Sequence, residues 1–184
     1  MSDPGDLAAF LGDAWQHLSR GVADAKAPAR TPTFATVSPE GRPEARTVVL
    51  RRAAQSAGEV EVHTDTQTAK VRALRACPFA ALHVWVPRAK LQIRLSTAVT
   101  LLSGEDVEAE WNKVPQGSRI SYGTEPAPGT PIAGVHAYEK PPQRARFMVL
   151  RCQIEDMDLV HLGEPHRRAR YLRADGFAGT WVAP

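Results

Sequence analysis

The chain has 184 residues, of which 43% are hydrophobic and 23% charged, a composition typical of an ordinary globular protein. The net charge of +3 is too small to indicate a nucleic-acid partner, and no apolar stretch reaches the roughly 20 residues of a membrane-spanning helix. No basic-then-apolar export signal opens the chain, so we expect a cytoplasmic protein without a membrane partner. We expect one domain over 1–184, with Cys77 and Cys152 as buried thiols.

The first predicted element is an amphipathic helix at about 6–20. Apolar residues recur there at intervals of three and four, which places them on one helix face: Leu7, Phe10, Leu11, Ala14, Trp15 and Leu18. Two prolines at 28 and 32 follow and favour an extended link to the first strand. We assign Phe10, Trp15, Phe34 and Trp85 to the core rather than to a binding surface.

Alternating or continuous apolar residues predict strands at 33–38, 43–52, 60–64, 79–86, 91–102 and 147–154. The strand at 79–86 is almost wholly apolar, which predicts burial of both of its faces. Short helices are predicted at 66–76 and 105–113, and residues 124–142 form a long loop rich in proline and glycine. A basic C-terminal arm occupies about 159–184.

Hairpin-length connections and the lack of regular βα alternation favour a mainly β fold, an antiparallel barrel with added helices. The sequence contains no GxGxxG after a strand, no P-loop and no GxSxG elbow, which are common marks of dinucleotide, triphosphate and serine-hydrolase chemistry. Its histidines show no HExxH spacing, and we predict no metal site.

An anion site is the chemistry that the residues favour. Arg46 and Arg51 bracket one strand, the segment 64–70 runs from a strand into a helix start that carries Lys70, and Gln92 lies on another strand. Helix N-termini offer unpaired N–H groups, and arginine binds two phosphate oxygens at once, so a phosphate monoester fits this set. Residues five apart on a regular strand face opposite sides, so Arg46 and Arg51 can share a ligand only through a bulge or a strand end.

The order of these motifs resembles the pyridoxamine 5′-phosphate oxidase-like family of FMN-binding split β-barrels. The resemblance lies in Arg46-Thr-Val-Val-Leu-Arg51, Val62-His-Thr-Asp65, Thr68-Ala-Lys70, Leu91-Gln-Ile-Arg94 and the terminal Trp181-Val-Ala-Pro184. It implies a split-barrel homodimer with two FMN sites at the subunit interface, each built from both chains. It also implies an oxidoreductase that acts on a small-molecule substrate.

Position by position, the resemblance implies roles for individual residues. Arg46, Lys70 and Thr64 would hold the FMN phosphate, Val48 and Val49 would lie against the isoalloxazine, Gln92 would hydrogen-bond the flavin, and Arg168 would come from the partner chain. The full implied FMN-binding set is Arg46, Val48, Val49, Arg51, His63, Thr64, Thr68, Lys70, Gln92 and Arg168. His166 and Arg119 would contact the substrate, and no catalytic residue is assigned.

The sequence also departs from the true oxidase. Glu164 stands where that enzyme has an arginine for the substrate phosphate, Asp158 and Leu159 replace a tryptophan beside the flavin, and Arg51 replaces the usual lysine. Ser118-Arg119 after Trp111 resembles a cyanobacterial-type, oxidase-like branch instead. The alternative function is a non-catalytic protein that binds or senses a flavin, a deazaflavin or haem.

Overall fold

The computed structural model describes residues 5–184, so part of the segment on which we judged the export signal lies outside it. Three α-helices are α1 (Leu7–Ala23), α2 (Ala69–Ala76) and α3 (Glu108–Lys113). The strands are β1 (Thr33–Val37), β2 (Pro43–Thr47), β3 (Leu50–Ala54), β4 (Glu59–Asp65), β5 (Phe79–Val86), β6 (Leu91–Ser103), β7 (Phe147–His161), β8 (Arg167–Leu172) and β9 (Thr180–Val182). None of the helices in this part of the chain is long and apolar enough to cross a membrane.

All strand pairings are antiparallel and belong to one sheet with the order β2-β1-β5-β6-β7-β4-β3, while β8 pairs with β7 and β9 with β8. The first and last strands of that path, β2 and β3, are joined only by Val48 and Val49. Because two residues cannot span an open sheet, the sheet must curl until its two ends adjoin. The predicted mainly β architecture is thereby confirmed as a curled antiparallel sheet.

Helix α1 closes one side of the apolar core. Asp6 caps it by accepting hydrogen bonds from two backbone N–H groups of the first turn, and the helix ends at Ala23 rather than near residue 20. Phe10, Ala14, Trp15 and Leu18 of its predicted apolar face are buried, Leu7 and Leu11 are partly buried, and Phe34 of β1 is buried. The core therefore lies between α1 and the inner face of the curled sheet.

The single strand predicted at 43–52 is wrong, because it divides into β2 and β3 at Val48 and Val49. The Val48 N–H donates to the carbonyl of Pro32 at 3.1 Å, one pair beyond the last β1–β2 pair, and the ladder ends there because Pro32 has no N–H to donate in return. Arg51 then sits in a register shift between Leu50 and Arg52 where β3 pairs with β4. The break and the bulge together remove the simple alternation that relates Arg46 to Arg51 in a regular strand.

The predicted burial of both faces of β5 is also wrong. Its residues alternate between exposed and buried, and Phe79 and Trp85 are 55% and 40% exposed. Trp85 is therefore not a core residue. The apolar character of the second face reflects an exposed apolar surface of this chain, to which Val37 and Leu172 also contribute.

The C-terminal segment continues the sheet. β7 extends to His161, seven residues beyond the predicted end; β8 pairs with β7, and β9 pairs with β8.

Both cysteines are free thiols. Cys152 is buried, but Cys77 is only half-buried, which corrects its assignment as a buried thiol. In the long loop, an isolated bridge between Glu125 and Glu139 is the structure that holds its two arms together.

Candidate functional site

Four of the predicted residues meet at the end of β4 and the start of α2, a group that we call the Lys70 cluster (Arg46, Thr64, Thr68 and Lys70). The Lys70 ammonium donates to Thr64 Oγ1 at 3.1 Å, and the hydroxyls of Thr64 and Thr68 lie 3.3 Å apart. Burial lowers the pKa of Lys70, the positive charge of Arg46 lowers it further, and Asp65 raises it. Lys70 thus contacts one hydroxyl group and lies close enough to Arg46 for its charge to act on the ammonium.

Arg46 is fixed before any ligand arrives. Its Nη1 donates to Thr36 Oγ1 at 2.7 Å and to the carbonyls of Phe34 and Glu44, and its Nη2 donates to the Glu44 carboxylate at 2.7 Å. The Glu44 charge offsets part of the Arg46 charge. An anion in the cluster is thus balanced mainly by Lys70, with Arg46 as a positioned second cation.

The N-terminus of α2 completes the cluster. Thr68 is its N-cap, but no side chain caps the N–H groups of the first turn, because the Thr68 hydroxyl donates to the carbonyl of Asp65 instead. An uncapped helix start carries a partial positive charge and free N–H donors. These donors, the Thr64 hydroxyl and the two cations match what a phosphate monoester needs, so the residues fit the phosphate of FMN.

Arg51 and His63 lie together in a different space, a cavity of about 480 Å³ that we call the Arg51 cavity. Glu110 and Lys113 of α3 line it from the other side. The buried Arg51 Nε and His63 Nδ1 have no hydrogen-bond partner. Desolvation, aided by the Arg51 charge, lowers the pKa of His63 to about 4, so its imidazole is neutral near pH 7. Both residues therefore line the cavity, but these two nitrogen atoms are themselves buried.

Gln92 and Arg168 lie on the face of the sheet opposite to Arg46, in what we call the outer-face row (Trp85, Gln92, Arg168). The register places Trp85 opposite Gln92, Gln92 opposite Val160, and Val160 opposite Arg168. His83 Nε2 and Gln92 Oε1 are 3.3 Å apart. An exposed indole, an amide and a guanidinium thus share one surface.

Strand register places Arg46 of the Lys70 cluster and the outer-face row on opposite faces of the sheet. Thr33 pairs with His83, on the face of Gln92, whereas the next residue, Phe34, pairs with Arg46. Adjacent residues of a strand point to opposite faces, while directly paired residues share one. The Lys70 cluster and the outer-face row therefore lie on opposite sides of the sheet, and the expectation that Arg46, Lys70 and Gln92 share a cleft is not met in the single chain.

The two residues expected to contact substrate are also separated. Arg119 stacks its guanidinium 4.8 Å from the ring centre of Trp111 and donates to the Val114 carbonyl at 3.2 Å. His166 is exposed in the turn before β8.

Val48 and Val49 form the connection between β2 and β3. This connection joins the strand that carries Arg46 to the strand that carries Arg51.

Sequence reasoning missed two acidic residues that organise these groups. Asp65 receives the Nε and Nη2 donors of buried Arg146 at 3.0 and 2.9 Å, and it also accepts from Gly123 N–H. It thereby ties the start of the long loop to the end of β4. Asp158 contacts both Arg94 and Arg168. The position of Asp65 directly after Thr64 could have indicated its place beside the predicted anion site. The partners of Asp158 could not be predicted in this way, because they depend on strand pairing.

Comparison with known proteins agrees with this architecture. The family described as "Pyridoxamine 5'-phosphate oxidase, FMN-binding domain" matches residues 13–103, which include the Lys70 cluster and Gln92. A structure from Nostoc punctiforme, of a pyridoxamine 5′-phosphate oxidase-related, FMN-binding protein, aligns over 100% of both chains with a TM-score of 0.79 and 27% identity. The chain belongs to the pyridoxamine 5′-phosphate oxidase-like family. Its predicted split-barrel fold is confirmed.

A relative that is named as an oxidase matches less of the chain. The pyridoxine/pyridoxamine 5′-phosphate oxidase of Pseudomonas syringae pv. tomato is 34% identical over 94 residues, which are 51% of this chain and 43% of that protein. The chain thus aligns with less than half of the length of this relative. PhzG from Burkholderia lata 383, in complex with tetrahydrophenazine-1-carboxylic acid, has a TM-score of 0.72 at 20% identity over 99% of this chain and 95% of its own, which shows the shared fold.

Proposed function

We propose that this protein binds FMN and is an oxidoreductase that acts on a small molecule, as a homodimer of single-domain subunits. The carrying observation is the Lys70 cluster, whose cations, hydroxyls and open helix start match a phosphate monoester. Membership of an FMN-binding family supports the same assignment. When bound, the flavin would supply the redox chemistry.

The proposed homodimer follows from the separation of the two groups of predicted ligands. If each flavin site needs both Lys70 and Gln92, and these lie on opposite faces of one sheet, a second copy must bring its outer-face row to the Lys70 cluster of the first. The exposed Trp85 and Phe79 give the outer face the apolar surface that such an association would bury.

The chain's own residues would then have distinct tasks. Lys70 and Arg46 would anchor the phosphate, and the Val48–Val49 connection would lead along the cofactor toward Arg51. Arg51 and neutral His63 would orient a polar group of the substrate in the Arg51 cavity, because both side chains line it. The neutral imidazole adds no charge to this cavity, whose lining carries the cations Arg30, Arg51, Arg52 and Lys113 and the carboxylates Glu61 and Glu110.

The test is a titration of the purified apoprotein with FMN, followed by quenching of flavin fluorescence, together with an absorption spectrum of the protein as isolated. We expect one FMN per subunit and a yellow protein. A Lys70→Met variant should bind FMN far more weakly, whereas Lys26→Met, which removes an exposed lysine at the end of α1, should bind normally. A haem or deazaflavin spectrum, or equal binding by both variants, would contradict the proposal.

A further inference from the structure

The outer face carries a carboxylate that two arginines share. Asp158 is only 7% exposed, and both of its oxygens are occupied. Arg168 donates Nε to Oδ1 at 3.0 Å and Nη2 to Oδ2 at 2.9 Å, a two-point contact, and Arg94 donates Nη1 to Oδ2 at 3.2 Å. A bidentate contact fixes the plane of a guanidinium, which a single hydrogen bond does not.

The position of this carboxylate determines where Arg168 points. In the register of β7 with β8, Asp158 stands opposite Arg170, and Arg168 lies opposite Val160 in the row of Gln92. Arg168 therefore reaches diagonally along the sheet surface to Asp158. Without that carboxylate, Arg168 and Arg94 would face each other as like charges, and the long Arg168 side chain would regain its rotamer freedom.

We propose that Asp158 is a positioning residue that holds Arg168 in the orientation in which it meets the flavin. This inference rests on the proposed function, in which the outer-face row of one copy completes the flavin site of the other. Asp158 itself does not touch the cofactor. Arg168 uses only Nε and Nη2 to bind Asp158, so its other N–H groups stay available. The negative charge of Asp158 is shared between Arg168 and Arg94, so it offsets only part of the positive charge of Arg168.

A second ion pair on the same surface provides a matched control. Asp156 lies two residues earlier on β7 and pairs with Arg170 through one contact of 2.5 Å. It has the same charge, strand and sheet face, but neither the bidentate geometry nor a second arginine. If any acidic residue on this surface could orient Arg168, replacing either aspartate would weaken FMN binding equally.

The experiment measures FMN affinity and the apoprotein melting temperature for Asp158→Asn, Asp156→Asn, Arg168→Gln and the double variant Asp158→Asn/Arg168→Gln. We expect Asp158→Asn to weaken FMN binding about tenfold and Asp156→Asn to change it by less than about twofold. In the Arg168→Gln background, Asp158→Asn should cause no further loss, because its effect passes through Arg168. A purely structural role would lower the melting temperature and affect both backgrounds equally.

Several outcomes would overturn the inference. FMN binding by Asp158→Asn that equals that of Asp156→Asn would do so, and so would an undiminished loss in the Arg168→Gln background. Should Asp158→Asn not fold, Arg168→Lys replaces it, since lysine keeps the charge but cannot form the two-point contact, and unchanged FMN affinity in that variant would refute the positioning role. Absence of FMN binding by the wild-type protein would instead overturn the proposed function, and this inference with it.

Discussion

His63 gives the protein a measurable dependence of stability on pH. Its ring packs edge-on against Phe147 with 4.9 Å between the ring centres, and its Nδ1 has no hydrogen-bond partner. Desolvation by burial, with a smaller contribution from the Arg51 charge, lowers the pKa of His63 from 6.5 to about 4, although Glu110 opposes the shift. The folded protein thus holds a neutral imidazole where an unfolded chain would take up a proton.

The magnitude follows from that difference in pKa. As the pH falls below about 6.5, the unfolded chain is protonated first and gains free energy that the folded protein does not. The full difference corresponds to at most about 3.4 kcal/mol, which is reached only below about pH 4. Between about pH 7.5 and about pH 5, His63 should lower the free energy of unfolding by about 2 kcal/mol.

Urea unfolding of the apoprotein at these two pH values tests the reasoning. Carboxylates also titrate in this range, so the informative quantity is the difference between wild type and a His63→Gln variant. We expect the wild type to lose about 2 kcal/mol more than His63→Gln on acidification. The variant His136→Gln, which replaces an exposed histidine of the long loop, should behave like the wild type. Equal losses in the wild type and His63→Gln would refute the account of this buried ring.

Three further outcomes follow from buried groups. FMN affinity should fall as the pH rises through the lowered pKa of Lys70, and a flavin titration at several pH values should show this dependence in the wild type but not in Lys70→Met. Asp65→Asn should lower the free energy of unfolding in urea by about 3 kcal/mol, because it leaves the buried Arg146 with only the half-exposed Glu125 as a counter-charge. Burial raises the pKa of Cys152 to about 12, so a thiol reagent should label only the half-buried Cys77 in the native protein and both cysteines in urea.

Local patterns predicted the elements whose causes are local. The three- and four-residue spacing that begins at Leu7 marked α1, and the motif order around Arg46 and Lys70 located the residues that the structure brings together. The break at Val48 could not be predicted, because Thr47-Val-Val-Leu50 has high strand propensity and the closure of the curled sheet interrupts it.

The arrangement of the site depended on strand order, which sequence spacing does not reveal. Gln92 and Arg46 lie on opposite faces because β1 pairs with both β2 and β5, a non-local fact. The exposure of Trp85 shows a similar limit, because an apolar residue in a strand pattern is compatible with burial in a core and with exposure at a surface. The bidentate contact of Asp158 required the register of β7 with β8.

Subunit complementation tests the central claim, a flavin site assembled from the Lys70 cluster of one copy and the outer-face row of another. A Lys70→Met variant and an Arg168→Gln variant are each expected to bind FMN poorly. When the two are unfolded together and refolded at equal concentrations, half of the dimers are mixed, and each mixed dimer has one site with both native halves. The account predicts tight FMN binding at about a quarter of all sites. A mixture that binds FMN no better than the separate variants would contradict it.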